Sequence, residues 1–208
     1  IIMPVVPPAP VDDLVNLGTF ILGIQQLLIG VAIGFVSMMV LNTFVLAGQI
    51  IAMQTGLGFA SIVDPVNGIN VPAVGQFYLI LATLLFWTLD GHLAMIHMIV
   101  LSFHAFPIGE AWWTGEQFRE IAHWGGWMFI SAITLSLAPI VSLLIVNLAF
   151  GVMTKAAPQL NIFSIGFSIA QVMGLLIIWI TLDNFTAHFE TQWLRAEQFM
   201  CQLLRICP

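Results

Sequence analysis

Three histidines, His92, His97 and His104, are the side chains of this 208-residue chain best suited to chemistry. An imidazole titrates near neutrality and ligates metals, and an ionisable group inside an apolar stretch is costly enough to suggest a use. The chemistry would be metal binding or a proton relay. Their spacing argues otherwise: steps of five and seven do not converge on a helix as i, i+4 pairs do, and the nearby carboxylates, Asp90 and Glu110, sit at the segment's ends. Interfacial or interhelical hydrogen bonding is the default for such histidines. A nucleophile elbow, a phosphate loop, a dinucleotide fingerprint and a CxxC pair are all missing from the sequence. Cys201 and Cys207 leave open free thiols, a local disulfide or nothing of consequence, since spacing alone does not specify a bridge. No catalytic, metal or cofactor-binding residue is therefore assigned, and the chain does not read as an enzyme.

The elements that would position any site must live mostly out of water. Apolar residues make up 60% of the chain and charged residues 7%, with a mean hydropathy of +1.05. Soluble domains average about 25% charged, so the composition describes an integral membrane protein. Four scattered Lys and Arg exclude nucleic acid, whose phosphates demand a basic footprint. The net charge of -6 is spread too thinly to imply a cationic partner. The opening Ile1-Ile2-Met3 reads as the start of a fragment lacking its N-terminal segment, so the absence of a signal peptide carries no information.

From Leu14 to Val63 there is no charge, a run far longer than the ~20 residues that span a bilayer; it is expected to hold one very long helix or several pieces. Pro4, Pro7, Pro8 and Pro10 before it form an extended connector. A second uncharged run, Pro65 to Leu89, stops at Asp90-Gly91, which fits a hairpin tip or a kink, with the tip favoured, and resumes through Ile108. His104 to Trp124, with Trp112, Trp113 and Trp124 among charges, suits the bilayer interface. Ile121 to Thr154 and Ala156 to Leu182 are long enough to cross the membrane or pack as a buried hairpin, and Pro139 is expected to kink the first. The last segment, 185–208, is expected to be an amphipathic helix on a surface or a partner. Four cations cannot set a topology.

Gly30 and Gly34 form a GxxxG that lets backbones approach closely in lipid; partner assembly and intrachain packing are equal readings. Residues 56–72 carry Gly56, Gly58, Asp64-Pro65, Asn67-Gly68 and Pro72, which say loop, yet Phe59, Ile62, Val63, Val66, Ile69 and Val71 make it apolar. An irregular backbone cannot face lipid with its amides unpaired, so it must be buried in protein or line a cavity. A plug that closes a lumen by dewetting and a packed connector fit these residues equally.

At this loop the chain resembles a known family. Gln54-Thr55-Gly56-Leu57-Gly58-Phe59-Ala60 with Val63-Asp64-Pro65, the upstream Gln26-Leu27-Leu28-Ile29-Gly30 and Gly34-Phe35, Asp90-Gly91-His92-Leu93, and Phe106-Pro107-Ile108-Gly109 are similar to FliR, the flagellar protein export gate component. So is Ala157-Pro158-Gln159-Leu160-Asn161-Ile162-Phe163-Ser164-Ile165-Gly166-Phe167, the most characteristic stretch. The resemblance covers roughly Gln25 to Phe167 with motifs in the expected order.

The resemblance implies an all-α membrane protein, a single 1–208 export-gate domain of helical hairpins, packed with FliP and FliQ in a helical pore assembly of the bacterial inner membrane and flagellar basal body. Unfolded flagellar proteins would pass through it, and parts of the hairpins would stand above the bilayer. It implies no cofactor. The plug would comprise Phe59, Ile62, Val63, Asp64, Pro65, Val66 and Ile69, with Ile62 where related sequences can carry a second phenylalanine. Gly30, Gly34, Pro158, Gln159, Asn161, Phe163 and Gly166 would pack against partner subunits, and the segment 155–167 would face them, FlhB included. A small-molecule transporter or channel subunit is the alternative, but its converging polar groups near the midplane are not apparent among Asp64, Asp90 and Asp183.

Overall fold

The computed structural model describes residues 17–63, 70–106, 113–156 and 162–206. The long uncharged run is one 39-residue helix, α1 (Leu17–Thr55). A short strand pair follows, β1 (Ser61–Val63) and β2 (Asn70–Pro72), then helices α2 (Ala73–Thr88), α3 (Gly91–Ala105), α4 (Gly115–Ala156), α5 (Ile162–Thr181) and α6 (Phe185–Leu203). The all-α membrane class holds, with the strand pair its one exception among the described residues. Helices α1 and α4 and the run Gly166–Leu203 are each long and apolar enough to cross a membrane, and α2 with α3 would add a fourth span if taken together.

One breaker behaves differently from expectation. At Asp90, φ is 57°, a left-handed conformation that a short polar side chain tolerates. The helices on either side bend by 65°, so the favoured hairpin tip is instead a bend. Helix α4 runs on through Pro139, and one turn earlier Ser136 Oγ donates to the Ala132 and Ile133 carbonyls at 2.8 and 3.1 Å.

Contacts group the chain into two compact units. The first comprises residues 1–40, 86–127 and 191–208. Its core on α1 is Ile29, Ile33, Val36 and Val40, a spacing that keeps one helix face inward. Ser37, on that face, donates its hydroxyl to the Ile33 carbonyl at 3.0 Å and lies 3.9 Å from Met200 Sδ. Trp193 meets Phe86 edge to face at 5.0 Å, and Trp124 stacks on Phe199 at 4.6 Å.

The second unit comprises residues 41–85 and 128–190. Here Phe44 is fully buried, with its ring 4.9 Å from Phe185 and 5.6 Å from Phe189. Tyr78 packs on Phe185 at 5.3 Å and hydrogen-bonds Thr181. Such ring pairs each contribute about 0.5–1.5 kcal/mol beyond the area they bury.

The amphipathic character of α6 is present, but its use differs from expectation. Phe185, Phe189, Trp193, Ala196, Met200 and Leu203 recur at steps of three or four and are all buried on the chain's own elements, so no partner is needed to cover that stripe. Cys201 is disulfide-bonded, while Cys207 lies outside the described residues. Uncovered apolar surface lies on other helices, among them α4, where Phe129, Ile133, Leu137, Leu144 and Leu148 are exposed. Such a face suits lipid or other membrane helices.

Candidate functional site

The apolar loop begins where α1 must stop. Gly56 takes φ of 75°, a conformation that costs an L-residue about 1–2 kcal/mol, and a 3-10 turn at Leu57–Phe59 follows. The expectation of irregular backbone from 56 to 72 is corrected here. Residues 61–63 and 70–72 pair as an antiparallel ladder, with Ser61 opposite Pro72, Ile62 opposite Val71 and Val63 opposite Asn70. Below it, the Ala73 amide donates to the Ala60 carbonyl at 2.8 Å. The β-branched Ile62, Val63 and Val71 are residue types that suit such a ladder. Pro72, which has no amide proton, falls at the last position of its strand.

Glycines fix the base of this stem to three helices of the second unit. A Cβ on Gly48 of α1 would lie 2.7 Å from Gly75 Cα and 2.9 Å from the Val74 carbonyl oxygen of α2. One on Gly56 would lie 2.6 Å from Phe167 Cε2 of α5, and one on Gly174 of α5 would strike the Thr55 side chain. Thr55 in turn is buried, with its hydroxyl donating to the Ala52 carbonyl at 3.0 Å and accepting from the Leu57 amide at 3.4 Å. Helices α1, α2 and α5 thus meet where only hydrogens fit.

Two cavities flank the stem's root. One of about 410 Å³ is lined by Gln54, Gly56, Asn147, Phe150, Thr154 and Phe167, among others. The other, about 370 Å³, is almost wholly apolar and is lined by Leu57, Ala60, Val74, Phe77, Leu175 and Trp179, among others. Among the described residues, neither gathers the carboxylates, thiols or imidazoles that chemistry requires.

The chain matches the profile of bacterial export proteins, family 1, over residues 1–196. It belongs to that family, and within it to the FliR group. It is 37% identical over 176 residues to the flagellar biosynthetic protein FliR of Escherichia coli (84% of this chain, 67% of that protein). It is 41% identical over 159 residues to that of Pectobacterium carotovorum (76% and 61%), and 28% identical over 166 residues to that of Bacillus subtilis (78% and 64%). The chain therefore spans only 61% to 67% of these relatives' lengths.

Within this export-family chain the expected site residues are distributed as follows. Phe59 ends the 3-10 turn, and Ile62 and Val63 lie in β1. Asp64, Pro65, Val66 and Ile69 fall outside the described residues, as do Pro158, Gln159 and Asn161. Phe163 and Gly166 lie in the first turns of α5. Around Gly30 and Gly34 an added Cβ would meet nothing within 4 Å, and Leu27, Val31 and Phe35 alongside are exposed. Of the histidines, His97 and His104 are exposed, whereas His92 packs 4.6 Å from Trp87, with its Nδ1 buried and unpartnered; the expected hydrogen bond is not made at that nitrogen.

Sequence reasoning missed the glycine contacts themselves. A usable signal exists: Gly48, Ala52 and Gly56 recur every four residues, as do Gly166, Ala170 and Gly174. Ala52, Gly48, Ala170 and Gly174 are buried, as expected of small residues at close helix contacts.

Proposed function

We propose that this chain is a non-catalytic subunit of the flagellar type III protein export gate, in the bacterial inner membrane at the flagellar basal body. Family membership makes it a membrane-embedded flagellar export component. In this reading it joins FliP and FliQ to complete a protein-conducting pore, with the 56–72 loop as an apolar seal and the 155–167 segment as a contact for neighbours that include FlhB. The observation that carries the seal is the anchored stem: residues 61–63 pair with 70–72, and the Ala73–Ala60 hydrogen bond closes that ladder at its base. Such a stem serves a hydrophobic constriction, which must hold apolar side chains in place without charge or metal. The uncovered face around Gly30 and Gly34 supports the partner role, since small residues with nothing against them permit a second backbone to approach.

Deleting Phe59 to Val71, or replacing both Phe59 and Ile62 with glycine, should make cells carrying the assembled gate leak ions and small solutes. Conductance equal to that of the unaltered gate would remove the seal from this reading, and intact motility after disrupting the gene would remove the export role.

A further inference from the structure

We propose that Arg119 and Arg195 form a receptor for the headgroup phosphate of an anionic phospholipid. The chain has only four Lys and Arg, and two of them, from α4 and from α6, line a single pocket of about 500 Å³ in the first unit. Trp124, Trp127 and Phe199 form its aromatic walls. Both arginines are exposed, and among the described residues no carboxylate forms an ion pair with either.

Two features make the pocket built rather than incidental. The Arg195 guanidinium sits 4.0 Å above the Trp127 ring, and the same indole donates from Nε1 to Gln192 Oε1 at 3.2 Å. Trp124 lies nearly parallel to Phe199, with 11° between the rings. Arg195 is therefore held before any ligand arrives, and its planar fork matches phosphate oxygens. His123 also lines the pocket, and Glu120 supplies its one carboxylate. The position selects a lipid over other phosphates. From Ile121 to Thr154, α4 has no Asp, Glu, Lys or Arg, so the pocket's arginine and tryptophans stand at the end of a membrane-length apolar helix, where Trp and Arg meet headgroups.

The test uses the full chain copurified with its membrane partners in neutral detergent. Bound phosphatidylglycerol and phosphatidylcholine are counted by native mass spectrometry after incubation with an equal mixture. Phosphatidylglycerol should be preferred by about 25-fold, taking roughly fivefold for each arginine near an anionic group. Replacing both arginines with glutamine (R119Q, R195Q) should abolish the preference, and Glu120→Gln, which keeps both cations, should raise it. Equal retention of the two lipids, or a preference unchanged in the double variant, overturns the proposal. So does inorganic phosphate binding with the lipid ignored, which would mark an ion site. Crosslinks from the arginines to partner carboxylates, without lipid preference, would assign the pocket to a protein contact and overturn it as well. If the double variant does not assemble, the Glu120→Gln result alone decides: no rise counts against the site.

Discussion

The two halves of α1 carry glycines that do opposite things. Near Gly30 and Gly34 an added methyl would meet open space, whereas at Gly48 it would strike the α2 backbone and at Gly56 the Phe167 ring. The residue type is the same, and small residues recur every four positions in both halves, with Ala52 between Gly48 and Gly56. What differs is the opposing element: α2 and α5 lie against the C-terminal half, while Leu27, Val31 and Phe35 beside the N-terminal pair stay exposed. A glycine repeat thus says that close approach is permitted, and the neighbours decide whether the chain itself or another protein makes it. On the proposed reading as an export-gate subunit both uses are wanted, one to hold the loop's stem and one to offer a face for assembly.

The largest effect should come from filling the closed half. Gly48→Leu would push four heavy atoms into the α2 backbone, which cannot swing aside as a side chain can, so a loss on the order of 3 kcal/mol is expected from overpacking. For a chain of this size that lowers the melting temperature by roughly 2–4 °C per kcal/mol, and thermal unfolding in detergent measures it. A variant melting like the parent would break the distinction between the halves.

Gly56→Ala should come next, and it separates two causes. The left-handed backbone alone costs alanine about 1–2 kcal/mol, and the new methyl must also displace the Phe167 ring. Combining Gly56→Ala with Phe167→Leu should recover the steric part and leave the backbone part. A double variant as stable as the parent would show that φ at Gly56 imposes no strain.

The contrast also separates what the amino-acid order makes legible from what it hides. Composition, the charge-free run that α1 occupies, the helical runs on either side of Lys155 and the helix-ending signal at Gly56 are legible, because charge-free length and helix-ending dihedrals are local properties. Length alone does not decide between one helix and several in that first run. The α6 stripe is legible as amphipathic, yet not where it packs, since Phe185 and Phe189 reach Phe44 across more than a hundred residues. The ladder of residues 61–63 with 70–72 is hidden because two three-residue strands have too little alternation to stand out among turn residues. The glycine pair that stands out is not the one used within the chain: GxxxG at 30 and 34 is the more familiar pattern, while Gly48, Gly56 and Gly174 make the close contacts between the chain's own helices.

The smallest effect on the chain itself, and the sharpest test of the comparison, lies at the open half. Gly30→Ala and Gly34→Ala meet no atom within 4 Å, and alanine favours helix over glycine by about 1 kcal/mol per residue. The chain's own melting temperature should therefore hold or rise slightly. Yields of chain recovered with FliP and FliQ should fall, and fall further with leucine at either position, because a helix seated on those glycines would be displaced. Stability and assembly would then move in opposite directions, which intrachain packing cannot produce. If both stay at parental values, the face around Gly30 and Gly34 looks toward lipid, and the partner contact must be sought on the exposed side of α4.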